Sequence, residues 1–166
     1  TRDYKQCNVK MPELTKKSVR LVLDKSQTRE YNSLVRKTQT LICDFEDSNT
    51  IYANVLVGFS KIRAYCSDVP IKHTFIKTNA GKEKCIVFSG FIDSLNSLAQ
   101  TLGEENCAIV SSKTPNRDKV LSEFESNDKQ FLLATYKVCG VGLNHQYIRK
   151  CFLKEPYCNI STHEQA

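Results

Sequence analysis

The sequence lacks the features that mark membrane and secreted proteins. No apolar run approaches the roughly 18 residues that a membrane-spanning helix needs. The first ten residues contain no apolar stretch of the kind found in a signal peptide. An initiator Met is also missing, as it is in a fragment or a processed product. We therefore expect no membrane segment in this chain.

The eight cysteines include no CxxC pair, so the usual sequence sign of a zinc or redox motif is absent. They are scattered, and Cys43, Cys66 and Cys85 sit in apolar runs. That distribution predicts small buried side chains in a reducing compartment rather than a disulfide framework. Three residues near the end of the chain have side chains of the types that bind zinc, but their spacing matches no known ligand pair; they are Cys151, Cys158 and His163. We predict no metal site.

Composition and charge are those of an ordinary globular chain with one basic half. The 166 residues are 40% apolar and 25% charged, which fits one domain or one domain with a small appendage. The net charge of +6 arises in residues 1–80, which hold 14 Lys or Arg and 8 Asp or Glu. A basic segment can follow a nucleic-acid backbone, and it can equally be a solvated lysine-rich surface.

The first half of the chain predicts helices after a short strand. Apolar and polar residues alternate over 18–23, as on a half-buried strand. Ser26 is a plausible N-cap for an amphipathic helix over 27–42. A second helix is predicted from Thr50, and the polar run 70–84 is predicted to be a boundary or linker. The residues predicted to face inward from the second helix are Leu56, Phe59, Ile62 and Cys66.

The second half alternates strand and helix patterns. Short apolar runs predict strands over 85–88, 107–110, 131–135 and 151–153. Helices are predicted over 93–102 and after Thr114-Pro115, with Thr114 as N-cap. Their inward residues should be Leu95, Leu98, Ala99 and Leu102 in the first, and Val120, Leu121 and Phe124 in the second. The repeated β-α-β pattern predicts an α/β fold, a parallel sheet with flanking helices.

Polar residues follow the predicted strands at Ser89, Ser111, Thr135 and Glu155. In open parallel sheets, ligands bind outside the carboxyl ends of the strands. The stretch Phe131 to Asn144 is the most informative of these ends, because a buried strand runs into a loop containing Thr and glycines. A dinucleotide-binding fingerprint is excluded, because position 145 is His and the loop follows the third strand.

Several segments in order resemble the C-terminal RecA-like lobe of Swi/Snf-type ATPases, within the superfamily 2 helicases. KCIVFSGF is similar to the family's fourth motif, and FLLATYKVCGVGLN is similar to the fifth, often written SLKAGGVGLN. Thr114-Pro115 with Arg117 resembles its GSTP segment, and EPYCNISTHEQA resembles EPWWNP…EEQA. Upstream, MPELTKKSVRLVLDKSQTREYNSL and VLVGFSKIRAYCSDVP resemble the end of the first lobe and a connecting helix. The resemblance covers nearly the whole chain.

This resemblance implies a division into two parts and a set of site residues. Residues 1–77 would be the end of the first lobe and a helical connecting segment, and 78–166 an incomplete RecA-like lobe. The chain would stop before the sixth motif, which carries the arginine finger, and would lack the P-loop and the Asp-Glu box. The residues implied to contact the DNA backbone are Thr135, Thr114, Arg117 and Ser89. Those implied to lie near the nucleotide are Gly140, Gly142 and Asn144.

Plain structural roles compete with these assignments. Gly140 and Gly142 would equally serve a tight turn, Thr114 an N-cap, and Asn144 a helix C-cap. Arg117 could be a solvated helix residue. The sequence also departs from the family: Gly90 replaces Gln, Ser111-Ser112-Lys113 replaces Asp-Gly-Ser, Cys139 replaces Gly, Cys158 replaces Trp and Ile160 replaces Pro.

The resemblance implies part of a DNA-dependent ATPase or translocase that acts on DNA or chromatin in transcription or repair. Its cofactor would be ATP with Mg²⁺, shared with a first lobe, and its partners double-stranded DNA, that lobe and chromatin or transcription proteins. No catalytic residue is assigned to this chain, which alone is predicted to be inactive. The alternative is a non-enzymatic DNA- or protein-binding remnant. A nuclear location follows, in the host nucleus if the protein is viral, like the global transactivators of baculoviruses.

Overall fold

The computed structural model describes residues 14–43, 48–126, 129–139 and 147–156. Within them, the second half of the chain forms a four-stranded parallel sheet. Its strands are β1 (Cys85–Ser89), β2 (Cys107–Val110), β3 (Phe131–Thr135) and β4 (Lys150–Leu153). They lie in the order β2-β3-β1-β4, so β1 and β3 are central. The predicted α/β class is confirmed.

Helices precede the sheet and alternate with its strands. The first three are α1 (Lys25–Cys43), α2 (Ser48–Ser67) and α3 (Pro70–Ala80). The others are α4 (Ile92–Leu102) between β1 and β2, α5 (Arg117–Ser126) between β2 and β3, and the short α6 (Tyr136–Cys139) after β3. A 3₁₀ turn, Glu104–Asn106, leads into β2. The helical segment predicted to precede the sheet is therefore present, and the predicted division at residues 77 and 78 falls within α3 and stays a prediction.

The strands β1, β2 and β3 are buried on both faces of the sheet, because helices cover each face, whereas the edge strand β4 is partly exposed. On one face, Val87 and Leu133 pack under α3 and α4; on the other, Leu132 packs under α5. The buried helix residues are Ile76 and Ala80 of α3, Leu95, Leu98, Ala99 and Leu102 of α4, and Phe124 of α5. Burial of each large apolar side chain contributes roughly 2 kcal/mol, so this core holds the strand ends in place. The inward faces predicted for α4 and α5 are confirmed.

The N-terminus of α1 corrects one sequence expectation. The cap is Asp24, not Ser26: the backbone N–H of Gln27 donates to Asp24 Oδ1 at 2.8 Å. The Gln27 side chain reaches back, and its Oε1 accepts from the backbone N–H of Asp24 at 3.1 Å. This reciprocal pair is a capping box, with Gln three residues after the cap. The predicted helix over 27–42 is otherwise confirmed, since α1 spans Lys25–Cys43.

The inward face predicted for α2 is wrong at two positions. Leu56 is 55% exposed and Phe59 is 61% exposed. The face that meets α1 instead contains Gly58, which is buried and lies against the side chain of Thr38. A glycine lets the two helix backbones approach closely, so packing between α1 and α2 depends on that position rather than on the larger apolar residues. Ile62 and Cys66 are partly buried.

Two further expectations differ from the structure. Residues 18–23 form no strand, and Val19 and Val22 are 50% and 75% exposed. Among the residues that the structure describes, no strand lies beside this segment, and alternation alone does not make a sheet. The stretch predicted as a linker is largely α3, which begins at Pro70, a position where proline is well tolerated because its missing N–H has no helical partner.

Candidate functional site

The carboxyl ends of the four strands lie side by side at one edge of the sheet. Ser89 and Thr135 are register partners at the ends of β1 and β3. Ser111 follows β2 and Glu155 follows β4. All four are buried, with exposed fractions from 0% to 8%. The sequence expectation that these residues share one edge is confirmed.

Thr135 occupies the centre of this edge. It is the last residue of β3 and is 7% exposed, and α6 begins at the next residue, Tyr136. The Tyr136 ring is fully buried and stacks on Phe88 with ring centroids 5.8 Å apart. Burial raises the pKa of the Tyr136 phenol, so it stays a hydrogen-bond donor at ordinary pH. The glycine loop, with Gly140, Gly142 and Asn144, lies outside the described residues, and the roles of these three stay predictions.

The turn after β2 brings Thr114 and Arg117 to the same edge. Thr114 Oγ1 accepts from the Ser111 backbone N–H at 2.9 Å, and the Thr114 N–H donates to the Ser111 carbonyl at 3.1 Å. Thr114 therefore stabilises a turn and is not the predicted N-cap of α5. That role belongs to Asn116, whose Oδ1 accepts from the Lys119 N–H at 3.0 Å. Arg117, the first residue of α5, is partly buried beside this turn.

Ser89 has a different environment from the other predicted DNA contacts. It is 0% exposed, and its hydroxyl donates to Glu155 Oε1 at 3.0 Å while accepting from the Phe91 N–H at 3.1 Å. A side chain enclosed in this way holds the loop between β1 and α4 and is not reachable by a phosphate in this structure. Its assignment as a direct DNA contact stays a prediction that these contacts do not favour.

Glu155 is the centre of a buried polar network that the sequence did not reveal. Its carboxylate accepts from the hydroxyl of Ser67 at 2.6 Å, from Ser89 and from the Gly90 N–H. Its backbone carbonyl accepts from the Tyr136 hydroxyl at 2.5 Å. These donors belong to α2, to the end of β1 and to the start of α6, so one residue connects three elements at the edge.

Lys154 lies beside Glu155 and is also buried, with 5% exposure. Its ammonium donates to the Ser94 carbonyl at 2.9 Å, to Ser94 Oγ at 2.5 Å and to His73 Nε2 at 3.0 Å. Desolvation lowers the pKa of Lys154 to about 8, although Asp68 and Glu155 act in the opposite direction. The lysine therefore remains largely charged near neutral pH, and its charge is held by neighbouring oxygens and an imidazole.

His73 is a neutral acceptor in this arrangement. Burial, and then the charge of Lys154, lower the pKa of His73 to about 4. Because an ammonium can only donate, Nε2 must accept, and the ring proton lies on Nδ1. Asp68 Oδ1 lies 3.4 Å from the same Nε2, and this contact is not an ion pair because the imidazole is uncharged. A signal for the site was present in the sequence as a Lys-Glu pair directly after a strand, but its partners are distant along the chain.

A groove along the outer side of β4 carries positive charge. It encloses about 560 Å³ and is lined by Lys16, Lys17, Lys72, Arg149 and Lys154 together with apolar residues, with no acidic side chain among them. Lys72 donates to the Lys154 carbonyl at 2.6 Å, whereas Lys16, Lys17 and Arg149 are exposed. A surface of one sign with apolar walls attracts polyanions. It lies beside the edge strand rather than on the predicted contacts.

Two kinds of site do not occur in the part of the chain that the structure describes. None of its groups of His, Cys, Asp and Glu could hold a metal ion. Cys158 and His163 lie outside these residues. No helix among the described residues has the length and apolarity required to cross a membrane.

Comparison with known proteins gives one family match that covers more than half of the chain. The model of the helicase conserved C-terminal domain matches residues 67–166. The DNA repair protein RAD5B of Arabidopsis thaliana is 38% identical over 96 residues, which are 55% of this chain and 8% of that protein. The putative helicase 172L of Invertebrate iridescent virus 6 is 33% identical over 88 residues, 50% of this chain and 14% of that protein. The match thus spans a small part of these relatives.

A solved structure shares the fold. The crystal structure of the C-terminal part of the Fun30 ATPase domain matches with a TM-score of 0.52, covering 81% of this chain and 54% of that one. The sequence identity is 15%. At that identity the match shows a common architecture of sheet and helices, while the roles of individual residues must rest on their own contacts.

Proposed function

The chain belongs to the helicase conserved C-terminal domain family, and from that membership we propose that it works as the second lobe of a DNA-dependent ATPase of the Swi/Snf type. The C-terminal RecA-like lobe of a superfamily 2 helicase-like protein is the part represented. The observation that carries the proposal is the family match together with the polar edge formed by β1 to β4. The action on duplex DNA, in repair, transcription or chromatin remodelling, is part of the proposal.

The proposed division of labour follows from the chemistry of phosphoryl transfer. A first lobe with a P-loop would hold the ATP phosphates and Mg²⁺, because catalysis depends on positioning and on charge neutralisation around the transferred phosphoryl group. The second lobe would meet the nucleotide with the loop that contains Gly140, Gly142 and Asn144. This chain alone is therefore proposed to have no turnover.

The described residues are proposed to serve DNA binding. A threonine hydroxyl and an arginine at the ends of parallel strands can contact phosphate oxygens without reading bases. Thr135, Thr114 and Arg117 meet at the carboxyl edge, and we assign them the backbone contacts. The basic first half of the chain and the groove beside β4 would add long-range attraction, which predicts weak binding that is sensitive to salt and independent of sequence.

The partner lobe is proposed to cover the exposed apolar surface of the helical segment. Large apolar side chains are exposed on α2 at Tyr52, Leu56 and Phe59, which recur at helical spacing. Such a stripe is typical of a face that another element covers. The same proposal includes a nuclear location, which is a reducing compartment and would be the host nucleus for a viral protein. It also includes partners among chromatin or transcription proteins.

ATP hydrolysis tests the proposal. The purified 166-residue chain should show no turnover above background with duplex DNA, and the same chain joined to a P-loop lobe and to a segment that carries the arginine-finger motif should show DNA-stimulated turnover. Gly142→Asp in the joined protein should abolish it, because the side chain would enter the loop between nucleotide and DNA. Robust turnover by the isolated chain that Gly142→Asp abolishes would contradict the proposal, since the second lobe would then be sufficient.

One observation favours a second candidate, a lobe that binds DNA or protein without hydrolysis. Gly90 stands where the family pattern has Gln, and its N–H is bound to Glu155, so the position offers no side chain to a ligand. DNA binding without DNA-stimulated turnover in the joined protein would support this candidate over the ATPase lobe.

A further inference from the structure

A chain of buried hydrogen bonds runs from Lys154 through two serine hydroxyls to Glu155. The two charged ends determine which atom is the donor in each of these bonds. Lys154 has no acceptor atom on its ammonium, so Ser94 Oγ accepts from it at 2.5 Å. The single proton of Ser94 is then left for Ser67 Oγ, 2.9 Å away. Ser67 in turn donates to Glu155 Oε2 at 2.6 Å, and a carboxylate only accepts. We call this chain of four side chains the Lys154–Glu155 relay.

The Lys154–Glu155 relay connects elements that are far apart in sequence. Ser67 is the last residue of α2, Ser94 lies in the first turn of α4, and the two charged residues follow β4. Ser67 and Ser94 are 0% and 2% exposed, so water does not compete for these hydrogen bonds. A buried polar network with every proton assigned specifies one arrangement of its elements, whereas apolar packing tolerates small shifts.

Two further contacts connect the relay to the neighbours of Thr135. The Glu155 carbonyl accepts from the hydroxyl of Tyr136, the residue after Thr135. Ser89, the register partner of Thr135, donates to the Glu155 carboxylate. Both neighbours of Thr135 at the edge, one along the chain and one across the sheet, are therefore held by Glu155.

We propose that the Lys154–Glu155 relay sets the position of Thr135 for phosphate binding and couples it to the connecting helix α2. Ser67, Ser94, Lys154, Glu155 and Tyr136 are then positioning residues, since none of them contacts DNA itself. This inference rests on the proposed function, because it assumes that the carboxyl edge binds DNA. It adds that a movement of α2 would change the DNA affinity of the edge.

The test compares Ser67→Ala with Ser97→Ala in the full chain. Ser97 lies on α4 and donates to Asp68 at 3.2 Å, outside the relay, so it is a matched control. The probe is a labelled duplex of mixed sequence, titrated at several salt concentrations. Ser67→Ala should raise Kd by roughly three- to ten-fold, the range of one hydrogen bond, and leave the salt slope unchanged, because a neutral threonine hydroxyl releases no counterion. Ser97→Ala should change neither quantity.

The binding stoichiometry, measured together with Kd, separates positioning from loss of structure. A partly unfolded sample has a smaller active fraction, but its folded molecules keep the Kd and the slope. Tyr136→Phe provides a second variant that keeps the buried ring and removes only the donor to Glu155, and it should act in the same direction as Ser67→Ala. If Ser67→Ala fails to fold, the Kd of Tyr136→Phe for the same duplex tests the relay instead.

The outcomes distinguish the inference from the proposed function. Wild-type binding with unchanged Kd in Ser67→Ala and Tyr136→Phe would overturn the relay and leave the proposed function intact. An equal loss in Ser97→Ala would also overturn it, since any hydroxyl near α4 would then matter. Absence of DNA binding by the wild type would overturn the proposed function and the relay with it.

Discussion

Replacing Glu155 by Gln should destabilise the fold more than any surface change of the same chemistry. The carboxylate accepts from Ser67 at 2.6 Å, from Ser89 at 3.0 Å and from Gly90, and it is 6% exposed. An amide has one acceptor oxygen, and its NH₂ group would face donors. The substitution also removes one of the two acidic neighbours, Asp68 and Glu155, that favour the charged form of the buried Lys154. Each buried donor left without an acceptor costs about 1–3 kcal/mol, so we expect a loss of about 3 kcal/mol for this variant.

Urea unfolding followed by circular dichroism measures this loss. For a chain of this length, each kcal/mol corresponds to roughly 2–4 °C in melting temperature, so a thermal melt gives an independent check. Glu123→Gln is the matched control, because Glu123 is partly exposed and only 3.9 Å from Lys119 one helical turn away. It should change the unfolding free energy by less than about 0.5 kcal/mol.

A double-mutant cycle with Lys154→Met sharpens the test. Removing both charges should recover part of the loss, since well-packed apolar groups can replace a buried pair at little cost. A free energy of unfolding for Glu155→Gln within about 1 kcal/mol of the wild type would contradict this role of Glu155, because neutralising a carboxylate that binds three elements should cost more than that.

Three further predictions address other parts of the chain. The pKa of His73 is lowered from 6.5 to about 4, so the folded protein binds fewer protons than the unfolded chain between these pH values. The contribution of His73 to the free energy of unfolding is therefore fully present above pH 6.5 and falls by about 3 kcal/mol toward pH 4. Urea unfolding of the wild type and of His73→Gln across this pH range should show that loss in the wild type alone. Gly58→Ala should cost about 1–3 kcal/mol because the added methyl meets Thr38, and Thr38→Ala should restore most of it; a neutral Gly58→Ala would contradict the packing of α1 on α2. Arg117→Gln should reduce the salt slope of DNA binding by about one contact, whereas Lys82→Gln, which changes an exposed residue just before β1 at the opposite edge of the sheet, should leave it unchanged; equal effects would place the contacts elsewhere.

The strands and the helices packed on the sheet could be predicted from the sequence because their signals are local. Apolar runs such as 131–135 are continuous where a strand is buried on both faces, and Leu95 and Leu98 recur at helical spacing. The predictions that were wrong concern residues whose burial or secondary structure depends on an adjacent element. Leu56 and Phe59 are exposed on α2 because Gly58 takes the packing position, and residues 18–23 have no strand beside them in the described part of the chain.

The candidate site was predictable only in outline. The sequence indicated that Ser89, Ser111, Thr135 and Glu155 end neighbouring strands, and the register confirms this. The relay was not predictable, because Ser67 lies 88 residues from Glu155 and nothing in its own surroundings distinguishes it from a solvated helix residue. Hydrogen bonds between distant side chains depend on the packed structure, and only a Lys-Glu pair beside a strand hinted at them.

The central claim is that the carboxyl edge binds the DNA backbone through Thr135. The most direct measurement is the affinity of the full chain for a mixed-sequence duplex over a salt series, comparing Thr135→Val with Thr101→Val, whose threonine lies exposed at the far end of α4. We expect salt-dependent binding by the wild type, a weaker affinity with an unchanged salt slope for Thr135→Val, because a neutral hydroxyl releases no counterion, and no change for Thr101→Val. Equal affinity for the wild type and Thr135→Val would contradict the claim.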